Sequence, residues 1–237
     1  MRHQAAAQLI GDRTHQCDAT ATYTDPTTGA RAYVLLDGIG SNALVQTWTR
    51  SAARRLARVA AIRASAEDGL RATAAVTAAE NLRYDCDDVL PLACAVVAVT
   101  APGGPLQIAW CGDCRAYLQP FGGPLRRLTR DHNMRQVLLD QEQEPSIDAR
   151  NLVTSCLGRR PTPQIGTHTV QAPSGRLLLV SDGAYEPLED SGIDLAAYLS
   201  GSPRTAAHAL TAAAVAHTDD YADNASALVA DLPRATP

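Results

Sequence analysis

Tyr33-Val34-Leu35-Leu36-Asp37-Gly38 is an apolar run of strand length that ends in an aspartate and a glycine. A strand buried on both faces reads as such a run, and a carboxylate at its tip must find a compensating partner. The pattern recurs in Ile108-Ala109-Trp110-Cys111-Gly112-Asp113 and in Leu177-Leu178-Leu179-Val180-Ser181-Asp182-Gly183. Asp223-Asn224 stands just before the apolar run Ala225-Ser226-Ala227-Leu228-Val229. One such tip is an ordinary turn. Four widely separated ones predict that the carboxylates converge and that hard divalent cations neutralise them.

The rest of the chain narrows the class. With 237 residues, 46% of them hydrophobic, it can bury one full core, and a single domain over 1–237 is expected. All 21 basic residues are arginine, scattered, and the net charge is -4, which argues against nucleic acid as a partner. The Met1-Arg2-His3-Gln4-Ala5-Ala6-Ala7 start lacks the apolar centre of a signal peptide. The uncharged stretch from Val89 to Gly112 is broken by Ala101-Pro102-Gly103-Gly104-Pro105, so it predicts a hairpin instead of a membrane span. No membrane partner and a cytoplasmic location are the expectation.

Strands are predicted at Ala19 to Tyr23 and Arg31 to Leu36, joined by the turn Asp25-Pro26-Thr27-Thr28-Gly29. Helical periodicity follows from Ala43 to about Ala64, with Leu44, Trp48, Ala52, Leu56 and Val59 on one stripe, and again from Glu67 to about Arg83. A hairpin over Val89 to Leu118, a helix at Met134 to Gln141 and an irregular segment from Glu142 to Pro163 come next. Leu177 to Val180 is a buried strand. Ser202-Pro203 starts a helix to His217, and Ala225 to Ala230 closes the chain as a strand. By themselves these elements read as one two-layer α/β domain.

Taken in order, the motifs resemble the metal-dependent protein phosphatases of type 2C, in their bacterial form. The resemblance covers nearly the whole chain: Gly11-Asp12-Arg13-Thr14-His15-Gln16-Cys17-Asp18, Asp37-Gly38-Ile39-Gly40, Gly112-Asp113-Cys114-Arg115, Ser181-Asp182-Gly183 and Asp223-Asn224. It implies an α+β fold, a four-layer αββα sandwich with two central, mostly antiparallel sheets flanked by helices. It implies two Mg²⁺ or Mn²⁺ ions, with a third, weaker site. Asp37 would bridge the pair; Asp182 and Asp223 would complete the first site, and the carbonyl of Gly38 would serve the second. Asp113 with Asp182 would form the third site, Asp18 would hold metal-bound waters, and Arg13 would clamp the substrate phosphate. Its planar fork suits that task. The implied reaction is hydrolysis of phosphoserine and phosphothreonine in proteins, opposing a serine/threonine kinase, by a metal-bridging hydroxide. Glu142 to Pro163 matches the family's variable flap.

Oxygen-only ligands agree with the chemistry, because Mg²⁺ and Mn²⁺ prefer carboxylates and waters. Two departures stand out. Cys17 replaces a glutamate that ligates the second metal in many members, and Ile39 replaces a histidine proposed as general acid in some. They support a rival expectation, a catalytically weak or inactive relative that binds a phosphoprotein or partner as a regulatory module. Cys111-Gly112-Asp113-Cys114 spells C-x-x-C, but with no second pair it does not predict zinc.

Overall fold

Successive side chains of a strand face opposite sides, so an unbroken apolar run must be covered twice. A computed structural model, describing residues 3–83 and 90–232, shows how that cover is built. The described chain runs β1 (Gln4–Leu9), β2 (Ala19–Thr24), β3 (Arg31–Ile39), α1 (Ala43–Ile62), α2 (Ala66–Glu80), β4 (Leu92–Thr100), β5 (Leu106–Cys111) and β6 (Arg115–Gln119). It continues with β7 (Arg126–Arg127), α3 (Met134–Asp140), β8 (Gly166–Val170), β9 (Gly175–Val180), α4 (Asp182–Asp190), α5 (Pro203–Ala216) and β10 (Ala225–Leu232).

The strands form two five-stranded sheets, ordered β1-β10-β9-β6-β7 and β2-β3-β4-β5-β8, antiparallel in each ladder. On β3, Val34 and Leu36 face α1 and α2, while Tyr33 and Leu35 face the other sheet. On β9, Leu178 and Val180 face α4 and α5, while Leu177 and Leu179 turn inward. Three apolar seams therefore stack in sequence, which gives the four-layer αββα sandwich. The two-layer reading is corrected here: there are two sheets, and each double-faced apolar strand separates a helix seam from the inter-sheet seam.

Register carries the acidic tips to one end. Val180 lies opposite both Ala227 and Arg115, so the segments holding Asp182, Asp223 and Asp113 leave adjacent strands side by side. In the second sheet Asp37 pairs with Cys94, and Ala95 with Cys111. The Gly112–Asp113 turn then crosses from β5 in one sheet to β6 in the other. The expected hairpin to Leu118 is thus β4–β5 alone, and Val89 lies outside the described residues.

Helix ends follow their capping chemistry. Asn42, Ser65 and Ser202 each accept a hydrogen bond from a first-turn amide, and Pro203 occupies the first turn of α5. The buried stripe of α1 keeps Trp48, Ala52 and Leu56 as expected, but begins at Val45 instead of the exposed Leu44, and Val59 is only half-buried. Four elements escaped the sequence reading, among them the two-residue β7, whose arginines carry no strand pattern. β1 is alanine-rich and is stabilised by pairing with β10, β8 is short and polar, and α4 hides behind Asp182-Gly183 and Pro187. Packing of Ala184, Tyr185 and Leu188 into a core seam overrides that weak propensity. Among the described residues no helix is long and apolar enough to cross a membrane.

Candidate active site

Alternation along β3 puts Asp37 on the inward face after Tyr33 and Leu35, at the open end of the inter-sheet seam. Gly38 follows because nothing larger fits. A Cβ there would lie 2.6 Å from the Cys17 carbonyl and 2.8 Å from both Thr49 Oγ1 and Val45 Cγ1. A cavity of about 190 Å³ opens at this end, lined by Arg13, Asp37, Gly38, Asp113, Asp182 and Asp223 together with Cys94, Asn151 and Val153. Six of the seven residues singled out from the sequence share this space, and the seventh, Asp18, stands just behind it.

The electrostatics show a surplus of negative charge. Burial first, then repulsion from Asp182 and Asp18, holds the Asp37 carboxyl well above the usual range. Asp37 and Asp182 lie within hydrogen-bonding reach of each other. Asp182 is raised too, mainly by burial, although its hydrogen bond from Asp37 and the Gly183 amide at 2.6 Å oppose the rise. Asp113 is pushed up to about 7 by burial and then by Asp182. Asp18 is pushed up to about 8, again chiefly by burial. Neither Asp18 oxygen meets a donor at full hydrogen-bond geometry, although the Ser226 and Ser181 hydroxyls approach it. Buried carboxylates arranged in this way need cations.

Hydrated divalent ions fit the donor set. Among the described residues no three acidic, cysteine or histidine side chains are drawn tightly enough to chelate a bare ion. They ring a space instead, which suits a small hard cation that keeps several waters.

Arg13 stands at the mouth. Its Nη2 donates to Asp223 Oδ2 at 2.6 Å, and its guanidinium lies 5.6 Å from the centre of the Tyr221 ring. Asp223 also accepts from the Asn224 amide at 2.6 Å. Arg13 also borders a second, wider chamber of about 460 Å³, walled by Arg150, Asn151, Glu186, Asp190 and His217.

Cys17 does not enter the cavity. It is fully buried, its amide donates to Asn224 Oδ1 at 2.7 Å, and its thiol donates to the Asn42 carbonyl at 3.7 Å. Ile39 reaches the rim and is partly exposed. Sequence reasoning missed Cys94, Asn151, Val153 and Glu186. Glu186 lies one helical turn after Asp182, so recognising α4 would have revealed it; burial, Asp182 repulsion and the weaker counter-effect of Arg150 leave it at about 8. Cys94 is placed only by its cross-strand register with Asp37.

A carboxylate-ringed cavity thus opens at one end of an αββα sandwich. The sequence profile of the Protein phosphatase 2C family matches residues 33–137. Among solved structures, the chain is similar to PppA, a key regulatory component of T6SS in Pseudomonas aeruginosa, at 25% identity over 95% of both chains with a TM-score of 0.75. It is similar to the Mycobacterium tuberculosis serine/threonine phosphatase PstP/Ppp at 25% identity over 98% of both chains, TM-score 0.76. The serine/threonine phosphatase Stp1 from Staphylococcus aureus shares the fold at 20% identity over 98% of this chain and 96% of its own, TM-score 0.74. A search of curated proteins by sequence finds no match. The chain is thus similar to bacterial protein phosphatases 2C, by sequence profile over residues 33–137 and by fold over nearly its whole length.

Proposed function

We propose that this protein is a Mg²⁺- or Mn²⁺-dependent phosphatase that removes phosphate from phosphoserine and phosphothreonine in proteins. The observation that carries the reading is the gathering of Asp37, Asp113, Asp182 and Asp223 around one cavity with Arg13 at its mouth. The PstP catalytic domain has been solved in complex with two manganese ions, and it matches this chain at 24% identity. Here Asp37, Asp182, Asp223 and the Gly38 carbonyl would hold two such ions, with Asp113 and Asp182 at a third. When bound, the ions supply activated water and offset charge on the transferring phosphoryl group.

The chain's own residues do the rest. Arg13 presents a planar fork to the phosphate, exchanging part of its contact with Asp223 for phosphate oxygens. Asp18, buried behind the cavity, accepts hydrogen bonds from waters there. The inter-sheet seam excludes solvent from one side, which strengthens every charge contact within it. The flap over 142–163 contributes Asn151 and Val153 to the wall and would choose among substrates in a single domain spanning 1–237. The setting is cytoplasmic, opposite a serine/threonine kinase.

A second reading is a regulatory module that binds a phosphoprotein or partner without turnover. The Cys17 thiol turned away from the cavity favours it. Hydrolysis of a generic aryl phosphate with Mn²⁺ separates the two, compared across wild type, Asp37→Ala and Asp182→Asn. Metal-dependent turnover that both substitutions reduce to background supports the phosphatase. Turnover without metal, or untouched by either substitution, overturns it, and tight Mn²⁺ binding without turnover selects the second reading.

A further inference from the structure

Asp113 reaches the cavity from a turn that two independent hydrogen bonds hold. The His132 amide donates to the Gly112 carbonyl at 2.9 Å, and the Tyr185 hydroxyl donates to the Asp113 carbonyl at 3.1 Å. Gly112 has φ +93, and a Cβ there would lie 2.4 Å from Cys94 Sγ, so the turn is pressed against β4 in a left-handed conformation that suits glycine. Tyr185 is wholly buried, and a buried phenol needs a partner for its proton. Here it finds one in the Asp113 carbonyl.

The ring itself is clamped. Arg115 Cζ lies 3.6 Å from the Tyr185 ring centre, and the arginine is almost fully buried. Asp131 takes both faces of its fork, Nε at 3.1 Å and Nη2 at 2.8 Å, while Nη1 donates to Glu189 at 2.7 Å and to the Tyr117 hydroxyl at 3.3 Å. Arg127 also pairs with Asp131. Asp131 directly precedes His132, so the same cluster holds both carbonyls of the turn, one through the chain and one through the ring.

We propose that Tyr185 is a positioning residue: its hydroxyl fixes the Asp113 main chain so that the carboxylate points into the cavity, and Arg115 fixes the ring. The consequence for metal rests on the function proposed above; the fixing of the turn does not. Groups one contact removed from a ligand commonly set its affinity through orientation.

Tyr185→Phe isolates the hydroxyl, because the ring and its stack on Arg115 stay. Hydrogen exchange of the Gly112 to Cys114 amides in metal-free protein should quicken severalfold, the scale of one lost hydrogen bond. Mn²⁺ titration calorimetry should show about tenfold weaker binding at the Asp113 site. Asp113→Asn should weaken the same site, and the double variant should be no weaker than Asp113→Asn alone. Unchanged exchange at the turn, or losses that add in the double variant, would overturn the proposal. If wild type binds no Mn²⁺, the phosphatase reading fails, while exchange at the turn still decides what Tyr185 does.

Discussion

Replacing Asp18 with asparagine removes a carboxylate that the fold tolerates poorly without a cation. Burial before all else lifts its pKa from 3.8 to about 8, with Asp182 and Asp223 adding and the Ser226 and Ser181 hydroxyls opposing. A carboxyl raised on folding binds its proton more tightly in the native state. Its stability contribution is therefore whole below pH 4 and drains away as pH climbs toward 8. The span from 3.8 to neutral pH converts to about 4 kcal/mol. For a chain of this size, that amounts to roughly 10 °C in melting temperature. In EDTA at pH 7, Asp18→Asn should melt higher than wild type by up to this amount, and the two should converge near pH 4. Saturating Mn²⁺ should close the gap from the other side by stabilising wild type. The assay is a series of thermal melts from pH 4 to 8, with and without metal. Superimposable curves in EDTA across that range would refute the argument that this end of the sandwich resists ionisation of its carboxyls without a cation.

Two further changes probe neighbouring parts. Arg115→Ala strands Asp131, which is buried beside it, and should cost about 3–5 kcal/mol in urea denaturation; Arg115→Lys should recover little, since an ammonium cannot serve the same fork and ring. Cys17→Glu puts a charge where a fully buried thiol meets the Asn42 carbonyl, so its melting temperature should fall without tighter Mn²⁺ binding; a variant that melts like wild type and binds Mn²⁺ more strongly would mean that the longer side chain swings into the cavity.

Much of the site was legible because its residues carry local marks. Asp37 and Asp182 end apolar runs, and no polar loop accounts for a carboxylate there. Asp223-Asn224 precedes a strand, and Arg13 sits five residues before Asp18. Glu186 carried no such mark, because α4 begins with the turn-like pair Asp182-Gly183 and contains Pro187. Asn151 and Val153 lie in irregular chain, where neither periodicity nor capping says which side chains turn inward. Cys17 was misleading in another way: its position beside Asp18 suggested a vacated ligand place, but its thiol is engaged with the start of α1.

Period-two burial and strand-tip carboxylates, both properties of neighbouring residues, were set by the order of amino acids alone; so were the helix caps at Asn42, Ser65 and Ser202. Which tips would meet was decided by register. Val180 must pair with Ala227 on one side and Arg115 on the other before Asp182, Asp223 and Asp113 become neighbours. Closure of the second sheet over the first then brings Asp37 to the same cavity. Pairings across tens or hundreds of residues depend on the burial of whole sheet faces, a collective quantity that no single segment encodes.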